Sequence, residues 1–430
     1  MSAPSPDFAR IVDGFGDTTV RDLAWLLLSP DLLDEHHAGA RLAHPFDSEA
    51  MRRTTLAWLA ELDAAPDALH AHTRNPKSTR LGIYAESLLE FFLAHGPAAR
   101  LIAANVQIRR QRRTIGECDF LLETADGARL HWELAVKFYL HIGEPVAQGG
   151  ADLDASLGAR LPDRFVGEHA ARGGVDIDAS SGARLPDRFV GEHAAQGGGD
   201  LDAPSGARLP GRIVGERAAQ SGGEIDAPSG ARLPDRFAGE RAAQNGDADA
   251  ASPSSRLSDY VGPNLQDRFD LKHARLLTHQ STLTARPEFI ALGYEGPWEP
   301  RLFIKGRLFY RDEGVASAPE IGEQHLRGWW MTASDWREKR GTASNAHYER
   351  AWIVQPRLAW LASRRLRADD ANALLAEASV IHARLQEIAM PTMIAAYRRD
   401  DAGNWSEESR GFIVPDDWPE RARIFAAARL

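Results

Sequence analysis

Apolar residues recur at three- and four-residue spacing in VRDLAWLLLSPDLL and MRRTTLAWLAELDAA, which predicts two short helices near the N-terminus. STRLGIYAESLLEFFLAHG continues that period, with Ser78 as its predicted N-cap and Gly96 as its stop. The pattern then shortens to a two-residue alternation. ANVQIRR, ECDFLLET and ARLHWELAVKFYL predict three strands, with the turn ADG between the last two. Much further on, LQDRFDLKHARLLTHQ predicts a helix beginning near Asn264. RLFIKGRLFY and RAWIVQPRLAWL look like strands, and a helix is expected near 369–388. MIAAYRR and RGFIV flank DDAGN as a hairpin, and a last helix starts from Asp417.

Between these regions lies a tandem repeat. Residues 151–246 are four copies of a 24-residue unit, the later ones beginning at Val175, Gly199 and Gly223. Each unit offers only about three large apolar residues among Gly, Pro, Ala, Asp and Arg, too few for the buried faces that stacked repeats need. The expectation is therefore a largely disordered insertion, with room for one short helical turn per unit. GARLPDRFVGEHA (158–170) aligns without a gap on GPNLQDRFDLKHA (262–274), so the repeats read as copies of the segment after them, with Glu168 in place of Lys272. The predicted organisation is 1–142 (N-terminal helices and the first half of a core), 143–255 (insertion) and 256–430 (second half of the core and a C-terminal α+β region).

Alternation along HWELAVKFYL puts Trp132, Leu134, Val136, Phe138 and Leu140 on one face and His131, Glu133, Ala135, Lys137 and Tyr139 on the other. A strand with one apolar face, and a carboxylate and an ammonium on the other, reads as the wall of a site. The turn ADG makes the preceding strand its antiparallel neighbour, which brings Asp119 towards Glu133. On the helix before them, Glu86 and Glu90 stand four residues apart on one side of a largely apolar surface. Several buried carboxylates need a cation, an arginine or shared protons, and a divalent metal serves several at once.

Composition narrows the partners. Formal net charge is −10, so attraction to nucleic acid must come from a local basic surface. Of 51 basic residues only Lys77, Lys137, Lys272, Lys305 and Lys339 are lysine, which draws attention to positions where arginine does not substitute. In the helix LQDRFDLKHARLLTHQ, Arg268, Lys272, Arg275 and His279 fall on one face, a stripe suited to a phosphate backbone or to internal acidic partners. Base stacking is one use for tryptophans such as Trp329, Trp330, Trp336 and Trp405, and core packing is the expected one. The single cysteine, Cys118, precludes an intrachain disulfide, and no histidine spacing suggests zinc. Asp176, Asp178 and Gly182 only partly match a calcium loop, with the glycine one position late and the closing glutamate missing. Phosphate-binding loops, dinucleotide fingerprints and Gly-x-Ser-x-Gly elbows are absent. No signal peptide and no apolar run of ~20 residues is present, which points to a cytoplasmic protein with no membrane partner.

The run GECDFLLETADGARLHWELAVKFYL resembles the core of the PD-(D/E)XK superfamily, a Gly-Glu-x-Asp strand, a turn, and a strand carrying Glu-x-Lys. VRDLAWLLLSP, ELAVKFYL, YVGPNLQDRFDLKHARLLTHQ, KGRLFY, HLRGWW, PRLAWLA and RGFIVPDDWP are similar to a bacterial family of unknown function assigned to that superfamily. The resemblance implies a mixed α/β, restriction-endonuclease-like core: helix, three-strand meander, helix, strand. It further implies Asp119 and Glu133 as ligands of Mg²⁺ or Mn²⁺, Lys137 as the catalytic lysine, and Glu86 or Glu90 as the helix acid. Arg268, Lys272 and Arg275 would then meet nucleic acid, DNA ahead of RNA. One departure stands out. The spacing here is Glu133-x-x-x-Lys137, which separates the two α-carbons by roughly 13 Å of strand where Glu-x-Lys spans ~7 Å. The expected function is a metal-dependent nuclease. The alternatives are a nuclease fold that binds without cutting, and an interaction module acting through its repeats.

Overall fold

Local signals set where the helices begin. Asp17 caps α2 (Thr18–Leu28) by accepting the N–H groups of Thr19 and Val20, and Ser48 caps α3 (Glu49–Ala64) through Met51 N–H. Short helices α1 (Pro6–Asp13) and α4 (Asp67–Thr73) accompany them. In this computed structural model the described residues are 6–74, 80–143, 255–312, 315–341, 350–368, 380, 381, 383, 385 and 389–428. The repeats, Ser78 and most of 369–388 lie outside them.

The third predicted helix is α5 (Leu81–His95), with Arg80 at its N-cap and Gly96 closing it. The meander follows as β1 (Ala99–Arg110), β2 (Arg113–Thr124) and β3 (Arg129–His141), all antiparallel. The chain re-enters at 255 and pairs β4 (Tyr260–Val261) with the end of β3. It then forms α6 (Phe269–Thr278), a 3-10 turn (Gln280–Ala285), α7 (Pro287–Ile290) and β5 (Glu299–Tyr310). Strand β5 runs parallel to β3 over eleven residue pairs, Leu130↔Glu299 to Leu140↔Phe309.

Helix α6 starts five residues later than the apolar period suggests. Leu265 adopts φ 54°, Gly262 N–H donates to the Asp267 carbonyl at 2.7 Å, and Arg268 is extended. A tight turn thus occupies the first predicted helical turn.

The C-terminal half comprises β6 (Arg327–Thr332), α8 (Ala333–Gly341), β7 (Arg350–Val354), β8 (Arg365–Leu366), β9 (Thr392–Arg399), β10 (Trp405–Val414) and α9 (Trp418–Ala427). The predicted hairpin is β9–β10, and the last helix follows Asp417. Among the described residues one mixed sheet of ten strands forms, in the order β1-β2-β3-β5-β6-β10-β9-β7, with β4 on β3 and β8 on β10. The interior is parallel (β3, β5, β6, β10) and both ends are antiparallel.

Both faces of the sheet are covered. One side buries α2 and α5 against Phe120, Trp132, Leu134, Phe138 and Phe303. Trp132 and Phe303 stack at 5.5 Å between adjacent strands. The opposite side packs Ala135, Tyr139, Ile304 and Leu308 against Phe269 and Leu276 of α6. The alternation read along β3 therefore holds over its whole length. Trp330 and Trp336 are core residues, whereas Trp329 and Trp405 are half-buried. Among the described residues no helix is long and apolar enough to cross a membrane.

Candidate functional site

Strands β2 and β3 pair only from Phe120↔Trp132 to Glu123↔Arg129. Beyond that point β2 continues with β1 alone, and the 3-10 turn packs where the strands part: Leu283 is buried with Cys118 and Leu121. Asp119 is the first residue past the last β2–β3 pair. Its side chain takes over the missing pairing, Oδ2 accepting Leu134 N–H at 2.8 Å. On β1, Asn105 falls opposite Asp119 between the pairs Ala104↔Phe120 and Val106↔Cys118, and it has φ 54°. The aspartate thus sits at a parting of strands, where backbone groups lose their partners and a side chain replaces them.

Glu133 is fully buried on the α6 side of β3. Its Oε1 is 2.7 Å from His131 Nε2, and its Oε2 accepts Gln280 Nε2 at 2.6 Å. Burial pushes Glu133 up from the ordinary 4.5 to about 8, with Glu117 and Glu86 adding to the rise; Lys272 and the Asp119 N–H oppose it. Burial also raises Asp119 well above 3.8, and the Glu133 and Glu86 charges raise it further, against Leu134 N–H and Lys272. Glu86, half-buried on α5, is raised by burial and then by Glu117. His131 is driven down to about 4 by burial, so it is a neutral imidazole at pH 7 and donates to Glu133 in its Nε2–H tautomer.

Glu86 on α5 thus raises the proton affinity of both Asp119 and Glu133, and Glu133 raises that of Asp119. One ammonium answers them. Lys272 projects from α6 with Nζ 3.4 Å from Gln280 Oε1, and its charge acts on Asp119, Glu133 and Glu86. Burial and the Lys137 charge lower its own pKa, while Asp119, Asp267 and Glu133 restore part of it. Asp119 and Glu133 offer oxygen donors suited to a hard divalent cation, but among the described residues Asp119, Glu133 and Glu86 are not a trio with ligand atoms within 4.8 Å of one another. His131 and Cys118 add softer donors: one ligand atom from each of Cys118, His131 and Glu133 lies within 4.8 Å of the others. The Cys118 thiol is itself pushed up by burial and by Glu133.

The remaining predicted residues scatter. Lys137 shares its face with Glu133, but its Nζ donates to Asp267 Oδ2 at 2.5 Å, and Tyr139 Oη donates to the same oxygen at 3.0 Å. Glu90 points towards α4, 3.9 Å from His72. Arg268, at the N-cap of α6, pairs with Asp270 and donates to the carbonyls of Ala426 and Ala428 at the end of α9. It joins the end of α9 to α6. Arg275 is exposed and His279 caps the helix, so within the predicted stripe Lys272 is the member turned to the acids. Sequence reading missed Asp267, Gln280 and His131 as participants. The only signal for His131 was its place two residues before Glu133.

Gly306 fixes the backbone beneath Lys137. It is paired with Lys137 across β3–β5 and has φ 150°, and a Cβ there would lie 1.8 Å from the Lys137 carbonyl oxygen. Only glycine lets the two strands approach this closely.

No curated protein and no solved structure matches the chain. The sequence profile of a family described as a domain of unknown function (DUF1853) matches residues 21–168 and 245–414, the first segment running into the first repeat unit. The strand parting, the acid cluster and Lys272 all lie within those matched segments, and the chain belongs to the DUF1853 family.

Proposed function

We propose that this protein is a metal-dependent hydrolase of phosphodiester bonds in nucleic acid, built on a restriction-endonuclease-like core of α5, β1–β3, α6 and β5. The observation that carries the reading is the pair of acids where β2 leaves β3, Asp119 held on Leu134 N–H and Glu133 fully buried on the next strand, with Glu86 and the Lys272 ammonium acting on both. A divalent cation held by Asp119 and Glu133, Mg²⁺ or Mn²⁺, would supply Lewis acidity and lower the pKa of a water molecule. Asp119 is fixed by Leu134 N–H, and Glu133 is fixed by His131 and Gln280, so neither carboxylate need reorganise when it takes up its role. Lys272 is the ammonium nearest in electrostatic effect to both acids, and it would stabilise the charge developing on the phosphate. Lys137 orders Asp267, whose charge helps keep Lys272 protonated.

The test is nicking of supercoiled DNA with Mn²⁺ by the full chain. Wild-type protein is expected to nick, and Asp119→Ala to lose nicking by at least ~10²-fold. Equal activity in the variant would sink the assignment. A second reading, nucleic-acid binding without cleavage, draws on the engagement of Lys137 by Asp267, which leaves the superfamily-like lysine tied to structure.

A further inference from the structure

Past Asp119, the β1–β2 pair is a two-stranded ribbon ending in Arg109-Arg110-Gln111-Arg112-Arg113, and all five of these residues are exposed. In a chain of net charge −10 this is a sharp local reversal of sign. Arg110 lies 3.5 Å from Glu288, and Arg109 donates to Gln107 at 2.7 Å. Among the described residues no carboxylate pairs with Arg109, Arg112 or Arg113. The turn itself is unusual in composition. Gln111 and Arg112 have φ 48° and 67°, positions at which hairpins favour Asn-Gly, yet the sequence keeps long polar side chains there. The ribbon is also braced: Val106, Ile108 and Cys118 pack on Leu283 and Phe289, so the tip is held at a set distance from the acid cluster.

We infer that the arginine tip of the β1–β2 ribbon is a clamp for the phosphate backbone of a nucleic-acid duplex, engaged about six base pairs from Asp119. The inference rests on the nuclease reading above. Six residues of strand from Arg113 to Asp119 cover ~20 Å, and a duplex rises ~3.4 Å per base pair. Guanidinium groups match phosphate oxygens in pairs, so such contacts give grip and register with no sequence preference. An anionic lipid surface also attracts arginines. However, residues 109–114 carry no apolar side chain to enter a bilayer, which favours the duplex.

The test uses the full chain, a fluorescent DNA duplex of about 30 base pairs, and chelator to stop cleavage. Arg109, Arg110, Arg112 and Arg113 are all replaced by Gln, and Arg113→Gln is made alone. Affinity is measured against salt concentration. The slope of log K on log salt should shrink by about 3 in the quadruple variant and by about 1 in the single one. Protection from hydroxyl radical should retract by about six base pairs on one side of the site. Nicking by the quadruple variant at limiting protein should fall in step with its lost affinity. An unchanged slope in a protein that still binds and nicks DNA overturns the clamp and leaves the nuclease reading standing. Failure of wild type both to bind and to nick overturns both. Loss of binding to phosphatidylserine vesicles in the variant, with DNA binding intact, reassigns the tip to membranes and also overturns the clamp.

Discussion

Replacing Glu133 by Gln should stabilise the metal-free protein at alkaline pH, an outcome opposite to the usual effect of altering a fully buried, doubly hydrogen-bonded residue. Glu133 has an ordinary pKa of 4.5 when unfolded and about 8 when folded. The native state therefore holds this proton more tightly than the unfolded state does. Its contribution is fully present below 4.5 and is lost as pH rises through about 8, at ~1.4 kcal/mol per pH unit between the two. Integrated over that window the loss is on the order of 5 kcal/mol. Asp119 shares the same proton demand, so ~2–4 kcal/mol is the range assigned to Glu133 alone. The neutral amide of Glu133→Gln keeps the shape and one acceptor for His131 or Gln280, and it has no charge to desolvate. Urea unfolding of both proteins in chelator from about pH 5 to pH 9 should show wild type weakening more steeply than the variant, which keeps the raised Asp119 and Glu86, the curves parting by ~2–4 kcal/mol near pH 8. Added Mn²⁺ should close the gap by stabilising wild type alone. A variant that is less stable than wild type at pH 8, or a wild type that gains stability from pH 5 to pH 8, refutes the account of the cluster.

Two further outcomes follow from the same geometry. Gly306→Ala should cost about 3–5 kcal/mol, from a left-handed φ and from a methyl pressed onto the Lys137 carbonyl, and it should lower the melting temperature by roughly 6–15 °C; a melt within ~1 °C of wild type would show that β3 and β5 are spaced otherwise. Lys272→Met should move the alkaline loss of stability to higher pH, because its ammonium lowers the proton affinity of both Asp119 and Glu133, and should cut Mn²⁺-dependent nicking by about 10²-fold. An unmoved pH profile would mean that Lys272 faces elsewhere.

What the sequence made legible was what depends on a single element. The two faces of β3, the hairpin β9–β10 and the termination of α5 at Gly96 all follow from local period and turn chemistry. The parting of β2 from β3 was hidden because its cause, the 3-10 turn at Gln280–Ala285, is encoded some 160 residues after Asp119. Lys137 was read as the free ammonium of the site because its partner Asp267 was counted into a helix that starts only at Phe269. The stripe on α6 failed for the same reason: Arg268 and His279 are end residues, each serving a cap. Lys272 was marked by composition, as one lysine where arginine prevails, though not by any spacing that tied it to Asp119. The arginine tip stood in plain view as RRQRR, but only the ribbon gives it a bearing from the acids.

The pairing of β3 with β4 bears on how this chain could acquire its repeats. Leu140 and His141 are hydrogen-bonded across to Val261 and Tyr260, and Ile142 N–H donates to the Asp259 carbonyl at 2.8 Å. The chain therefore departs from and returns to nearly the same spot, as at the base of a hairpin. Even for an inserted segment with no order of its own, closure entropy rises only as the logarithm of length, ~0.6 kcal/mol per doubling. A gene can gain or drop 24-residue units at this doorway with every strand register left in place. Copy number is thus free to drift between close relatives, with the acid cluster and the ribbon unaffected.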